Sequence, residues 1–363
     1  MTQLSETCEA IQTSLRSLYA GYGYTRYKMN RFEEYDLYAR NKDFLVSDSV
    51  ITFTDVSGKL LALKPDVTLS IVKNSRDEND ALKKVYYNEN VYRVTKGTRK
   101  FKEITQVGLE CIGRVDDYCL YEVLKLALGS LEAINPSHVL SVSHLGILSE
   151  VLAYIGIPAE NEPDILKAVG EKNLHELSAV LERLNVDPER GTVLKNLLMV
   201  QGPAAETMKK IRGLVGGIVK EETLVQLEHV IAPFAGENKL WMDFSVVNDL
   251  KYYNGFVFKG FVEGIPAGVL SGGQYDRLLK QMGKCSGAVG FAVYMDLLEQ
   301  YSEKSEDFDV DTLLLYDETC TLAEITEAEE SLRRAGASVL AATSLPKNVK
   351  YRRVENVKKG ETT

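Results

Sequence analysis

Residues 104–113 read Ile-Thr-Gln-Val-Gly-Leu-Glu-Cys-Ile-Gly. In an extended strand, successive side chains point to opposite faces. Gln106, Gly108 and Glu110 then share one face, and Val107, Leu109 and Cys111 share the other. The apolar face suits a core. The other sets an amide and a carboxylate on either side of a glycine, leaving room for a ligand that carries hydrogen-bond donors. Taken alone, the pattern equally fits a half-exposed strand whose polar face meets water. The preceding strand pattern places Val85, Tyr87, Glu89, Val91 and Arg93 on one face. Arg93 emerges at its end, beside a basic loop from Lys96 to Lys100. A guanidinium there could clamp a carboxylate or phosphate with two hydrogen bonds; the plainer reading is a surface arginine closing a strand.

The elements that must position these groups follow from periodicity. Leu4, Cys8, Ile11, Leu15 and Leu18 recur at spacings of four and three, one face of a helix. Tyr24 to Met29 starts an extended stretch. Ile51–Thr54 and Leu60–Leu63 flank Asp55–Gly58 as a hairpin. Pro65 and Asp66 suit the start of a helix that continues through Leu69 and Val72. Two strands, 84–94 and 104–113, precede a helix from Asp117 to about Ile134, which stops before Pro136, and a strand from His138 to His144. From about 145 to 236 the chain reads as almost entirely helical. Strands return at 242–247, 253–262, 268–271 and 287–293, with helices at 276–282 and from Met295 onward. A mainly antiparallel sheet, interrupted by a helical insertion and then resumed, is an α+β architecture. The core is expected over 1–302. A polar linker from Ser302 to Asp309 leads into a small 303–363 unit. In that unit Thr312–Tyr316, Leu322–Ala335 and Ser338–Ala341 read as β-α-β, followed by an aperiodic basic tail bearing Lys347, Lys350, Arg352, Arg353, Lys358 and Lys359.

The 363 residues are 45% hydrophobic and 26% charged, with a net charge of −9, as in ordinary globular proteins. An acidic chain argues against nucleic acid as a partner, because such binding relies on Lys and Arg neutralising phosphates. Five cysteines without a C-x-x-C pair read as buried free thiols of a reducing compartment. His138, His144, His175 and His229 are scattered, and no metal or cofactor is expected. There is no leader pattern and no apolar run near the ~20 residues of a membrane helix. The expected location is the cytoplasm.

Four segments, in order, resemble the class II aminoacyl-tRNA synthetases in their histidyl form. Asn90-Val-Tyr-Arg93 together with Phe101 to Glu110 resembles motif 2. Leu63-Lys-Pro-Asp-Val-Thr68 is similar to the family's Leu-Arg-Pro-Glu-Gly-Thr, and Leu250-Lys-Tyr-Tyr-Asn254 to its histidine-specific segment. Gly272-Gly-Gln-Tyr-Asp276 with Ala288 to Ala292 resembles motif 3. The likeness spans roughly residues 1 to 300. It implies that Asp66 and Thr68, with Gln106 nearby, meet a histidine α-ammonium. It further implies that Glu110 and Tyr253 meet the imidazole, that Tyr252 lines the pocket and that Arg93 holds the carboxylate. Asp66 is one methylene shorter than the family's glutamate.

The departures are equally informative. Where the synthetases carry ATP-holding or catalytic residues, this chain has Thr95, Asn248 and Leu297. Unpaired burial of nucleotide charge is prohibitive. Only about 60 residues follow the core, too few for the full anticodon-binding domain. The pattern resembles the regulatory subunits of ATP phosphoribosyltransferase, paralogues of histidyl-tRNA synthetase that lack aminoacylation. That likeness implies feedback control by histidine, assembly with a short-form catalytic subunit, and self-association through a motif 1 region at about Leu15–Tyr38. Two other functions remain in view: a divergent ligase that activates an amino acid with ATP, and a synthetase-like RNA-binding module.

Overall fold

The structure is a computed structural model and describes residues 2–42, 45, 50–75, 82–94, 100–247, 252–301 and 308–357, without the side chains of 2–7, 300 and 301. Thr95, Lys96–Arg99, Asn248, Leu250, Lys251, most of the expected linker, Lys358 and Lys359 lie outside the described residues. The chain divides into two compact units, Ala10–Tyr301 and a second made of Ser302–Thr363 with Met1–Glu9.

In chain order the larger unit contains α1 (Thr2–Gly21, most of it), β1 (Thr25–Arg26), β2 (Phe32–Glu34), α2 (Tyr35–Arg40), β3 (Thr52–Thr54), β4 (Leu60–Leu63), α3 (Thr68–Lys73), β5 (Lys83–Val94), β6 (Phe101–Gly113), α4 (Asp117–Ile134) and β7 (His138–His144). The insertion follows: α5 (Leu145–Ile155), α6 (Glu162–Gly170), α7 (Leu174–Arg183), α8 (Pro188–Met199), β8 (Gln201–Pro203), α9 (Ala204–Val215) and α10 (Glu221–Ile231). The sheet resumes with β9 (Leu240–Asp243), β10 (Phe256–Val262), β11 (Leu270–Gln274), α11 (Asp276–Gln281), β12 (Gly287–Tyr294) and α12 (Met295–Tyr301).

Nine of the described strands form one sheet in the order β1-β5-β6-β12-β11-β10-β7-β9-β8. Its centre is antiparallel, and parallel pairs occur only at β1–β5 and β7–β9. This is the expected α+β architecture. One face of the sheet packs on helices. Tyr19 of α1 contacts the rings of Tyr86 and Phe291, and its hydroxyl hydrogen-bonds Ser130 of α4 at 2.9 Å. α4 begins where Asp116 accepts the Cys119 amide at 2.9 Å, an N-cap that satisfies one of the free amides of the first turn. The opposite face is partly closed by Tyr38, Leu69, Ile71, Val72 and Leu278, which pack with Val85, Tyr87 and Ile112 of the sheet. The cavity described below opens on this second face.

Several local expectations are corrected. The short strand β8 lies inside the segment read as helical and pairs with β9 at the sheet edge. The strands expected at 242–247, 253–262 and 268–271 form at 240–243, 256–262 and 270–274. α2 and β2 had no counterpart in the periodicity. In the smaller unit the three elements are β13 (Val310–Leu315), α13 (Leu322–Arg334) and β14 (Val339–Ala342). The tail is not aperiodic there: β15 (Tyr351–Asn356) pairs parallel with β13, and Arg353 Nε donates to Thr312 Oγ1 at 2.9 Å. Pairing with a buried neighbour overrides a sequence that shows no alternation. Among the cysteines, Cys8, Cys111 and Cys119 are buried as expected, whereas Cys285 is exposed and Cys320 half-buried. Among the described residues no helix is long and apolar enough to cross a membrane.

Candidate functional site

Strand register builds the site. β6 pairs with β5 on one side and β12 on the other, which sets Tyr87 opposite Gly108, Gly290 opposite Glu110, and Tyr294 opposite Gln106. Directly opposite residues share a face. The polar face of β6 therefore lies between Tyr87 on one side and Gly290 and Tyr294 on the other. It does not meet bulk water, since Gln106 is 3% and Glu110 2% exposed, which removes the half-exposed-strand reading.

Two glycines lie on this face. A Cβ on Gly290 would lie 1.8 Å from Glu110 Oε2 and 2.4 Å from the Leu109 carbonyl oxygen. A Cβ on Gly108 would lie 2.3 Å from the Phe291 carbonyl oxygen and 2.5 Å from the Tyr87 hydroxyl. Gly108 thus leaves room for Tyr87, not directly for a ligand, which corrects the sequence reading of that glycine.

Above this face is a cavity of about 360 Å³, within the roughly 300–1,000 Å³ usual for small-molecule sites. Its lining brings together all seven residues singled out by resemblance: Asp66, Thr68, Arg93, Gln106, Glu110, Tyr252 and Tyr253. It also includes Leu45, Tyr87, Ser271, Tyr275, Phe291, Ala292 and Tyr294, which the sequence reading did not assign. Tyr275 sits inside the quoted Gly272–Asp276 segment, and Tyr87 shares a strand face with Arg93, so both had a usable signal. Ser271 and Tyr294 had none beyond their neighbours.

Glu110 is the best-defined group. Thr68 Oγ1 donates to its Oε1 at 2.7 Å and the Tyr275 hydroxyl to its Oε2 at 2.5 Å. Burial disfavours its charged form and pushes its pKa up to about 8, against the lowering effect of these two donors. Asp66 is half-buried because it opens onto the cavity. Its Oδ1 accepts the Leu69 amide at 2.9 Å, anchoring the start of α3. Desolvation raises its pKa, offset by that amide and by the nearby Arg93. Arg93 Nε donates to the Pro65 carbonyl at 3.0 Å, which locks the end of β5 to the turn carrying Asp66 and Thr68. The Tyr252 ring packs at a tilt against Tyr253 and Tyr275, with centroids 4.6 and 5.6 Å away. Among the described residues lining the cavity, Arg93 is the one cation, facing two carboxylates. Leu297 lies on α12, and the adjacent Asp296 pairs with Lys102 of β6 at 2.6 Å.

This arrangement can hold a small zwitterion: carboxylates and hydroxyls for its N–H groups, a guanidinium for its anion, and tyrosine rings around its body. Among the described residues, no group of three or more His, Cys, Asp or Glu side chains could hold a metal ion.

Comparison with known proteins places the chain. A family model described as Histidyl-tRNA synthetase matches residues 2–298. An ATP phosphoribosyltransferase regulatory subunit from Oceanobacillus iheyensis is 26% identical, over 76% of this chain and 69% of that protein. One from Alkaliphilus metalliredigens is 28% identical, over 77% and 72%. A histidine–tRNA ligase from Methanocaldococcus jannaschii is 25% identical, over 90% and 77%. Among solved structures, an ATP phosphoribosyltransferase regulatory subunit/histidyl-tRNA synthetase from Bacillus halodurans superposes with a TM-score of 0.78 at 22% identity, covering 98% of this chain and 95% of that one. An ATP phosphoribosyl transferase complex from Thermotoga maritima gives 0.62 at 18% identity, covering 78% and 96%. With a family match over most of its length, this chain belongs to the histidyl-tRNA synthetase family, where it resembles the members named ATP phosphoribosyltransferase regulatory subunit.

Proposed function

We propose that the chain is a non-catalytic regulatory subunit of ATP phosphoribosyltransferase, acting in the cytoplasm at the first step of histidine biosynthesis. Histidine binds in the cavity and signals feedback to a short-form catalytic partner. The observation that carries this reading is the charge inventory of the cavity among the described residues, one arginine against two desolvated carboxyl groups. A zwitterionic amino acid matches it. A nucleotide triphosphate does not, because its several negative charges would be buried largely unpaired. In this assignment Glu110 and Tyr253 face the imidazole, with Tyr252 beside them. Asp66, Thr68 and Gln106 face the ammonium, and Arg93 faces the carboxylate. Thr68 also orients Glu110, so the two ends of the ligand are sensed by one connected network.

The ligase alternative is disfavoured by the same inventory, and the RNA-binding alternative by the net charge of −9. The test is paired. ATP–pyrophosphate exchange with histidine should stay at background, and adding the chain to a short-form ATP phosphoribosyltransferase should form a complex by light scattering and raise turnover. Robust exchange, or no association and no change in turnover, would overturn the assignment.

A further inference from the structure

Among the described residues, Glu110 is a buried carboxyl with no counter-ion of its own. It is 2% exposed. Its hydrogen-bond partners, Thr68 and Tyr275, are neutral hydroxyls that donate to both of its oxygens. The titratable groups around it are Asp66 before α3, Tyr87 of β5, and Tyr252, Tyr253 and Tyr275 in the segments before β10 and α11. Burial holds these four tyrosine hydroxyls well above their ordinary range, so they stay neutral. From β12 its strand partner is Gly290, which offers no side chain. Arg93 stands near the other end of β5, opposite Lys102, and Lys102 is paired with Asp296. The charge that acts on Glu110 is that of Asp66, of the same sign. Two hydroxyl donors favour a carboxylate there, whereas burial and the neighbouring acid favour a bound proton. The balance leaves the ligand-free carboxyl at about 8, protonated at neutral pH.

We propose that this site takes histidine as its imidazolium, the ring receiving the proton that Glu110 holds in the ligand-free chain. The inference rests on the histidine assignment above and adds the ionic form of the ligand. Near pH 7.5 free histidine carries an ammonium, a carboxylate and a neutral ring, because the ring titrates at about 6.5. On binding, the O–H bond of Glu110 breaks and the bare ring nitrogen takes the proton, so none is exchanged with solvent. Asp66, Glu110 and the ligand carboxylate are then negative, and Arg93, the ammonium and the imidazolium are positive, so every charge has a counterpart. A neutral ring beside an ionised Glu110 would leave one buried negative charge uncompensated, which is costly. A neutral ring beside a protonated Glu110 would also balance. It would, however, require a proton on one of two oxygens that already accept hydroxyl protons at 2.7 and 2.5 Å. Those donors stabilise the carboxylate, and the cationic ring removes the desolvation cost that opposed it. Ring basicity thereby becomes a criterion of recognition, in addition to shape.

The experiment uses the full chain and histidine labelled with ¹⁵N in the ring, observed by NMR at about pH 7.5, where roughly nine in ten free rings are neutral. The expected result is a bound ring with both nitrogens protonated. Calorimetry at the same pH, in two buffers of different ionisation enthalpy, should find net proton uptake below about 0.3 per ligand, because the proton moves within the site. An analogue of histidine with a triazole ring, of the same shape but far less basic, should bind at least about tenfold more weakly. A bound ring with one protonated and one bare nitrogen would overturn the proposal while leaving the histidine assignment intact. Uptake of a full proton per ligand would also overturn it, since Glu110 would then have been ionised beforehand. Equal affinity for the triazole analogue would remove ring basicity as a criterion and with it the proposal. No binding of histidine at all would overturn the assignment on which the proposal rests, and both would fall.

Discussion

Glu110 concentrates the cavity's chemistry. Both of its oxygens accept hydrogen bonds from the protein, and the carboxyl keeps acceptor capacity for a ligand donor in either protonation state. Its environment also makes a pH prediction. Burial pushes the folded-state pKa up to about 8, while an unfolded glutamate titrates at about 4.3. Between these values the ligand-free folded chain holds a proton that the unfolded chain has released. Stability from this group is therefore full below about pH 4.3 and falls as pH rises towards about 8, then levels off. Glu110→Gln keeps the shape and removes the titration. Relative to the parent chain, the variant should gain stability as pH rises across that window, by at most ~1.4 kcal/mol per pH unit. Urea melts at three pH values check this, and a constant difference would place Glu110 in a wetter environment. Gln106 and Glu110 were legible because strand alternation is a strict period of two. Tyr87 and Tyr275 were harder to read, since a tyrosine declares its role only through what folds against it.

At the scale of elements, β6 divides two jobs between its faces. Val107 points into the helix-covered core at 2% exposure. Val107→Ala should cost stability through a core cavity, about 1–3 kcal/mol, while histidine affinity stays within about twofold. Gly290→Ala should act in the opposite sense on function. The added carbon meets Glu110 and the Leu109 backbone, so the carboxylate must move, histidine binding should be lost, and overpacking should cost about 1–3 kcal/mol. Thermal melts and calorimetry on both variants separate the two faces; equal losses of affinity would show that the faces are not independent. The end of α4 was readable because Pro136 follows two residues after Ile134 and cannot continue the helix. The strand β15 was not, because its pairing to β13 is a property of the partner strand. The insertion read as almost entirely helical because β8 has only three residues and is fixed by β9.

For the whole molecule, the family likeness extends across the core, and the C-terminal unit carries its own three-stranded sheet, β14-β13-β15. If regulation runs through the cavity, Glu110→Ala should reduce histidine feedback on the assembled transferase while leaving uninhibited turnover largely intact. Inhibition curves of the complex read this directly, and full feedback in the variant would move histidine's inhibitory site to the catalytic partner. The central claim, that this cavity is built for histidine, rests most directly on isothermal titration of free histidine into the purified chain and its Glu110 variants. The parent chain should bind one histidine per chain. A hydrogen bond to a charged group is typically worth ~1.5–3 kcal/mol, so Glu110→Ala should weaken binding by roughly one to two decades. No binding by the parent chain, or unchanged affinity in a folded Glu110→Ala variant, would contradict the account.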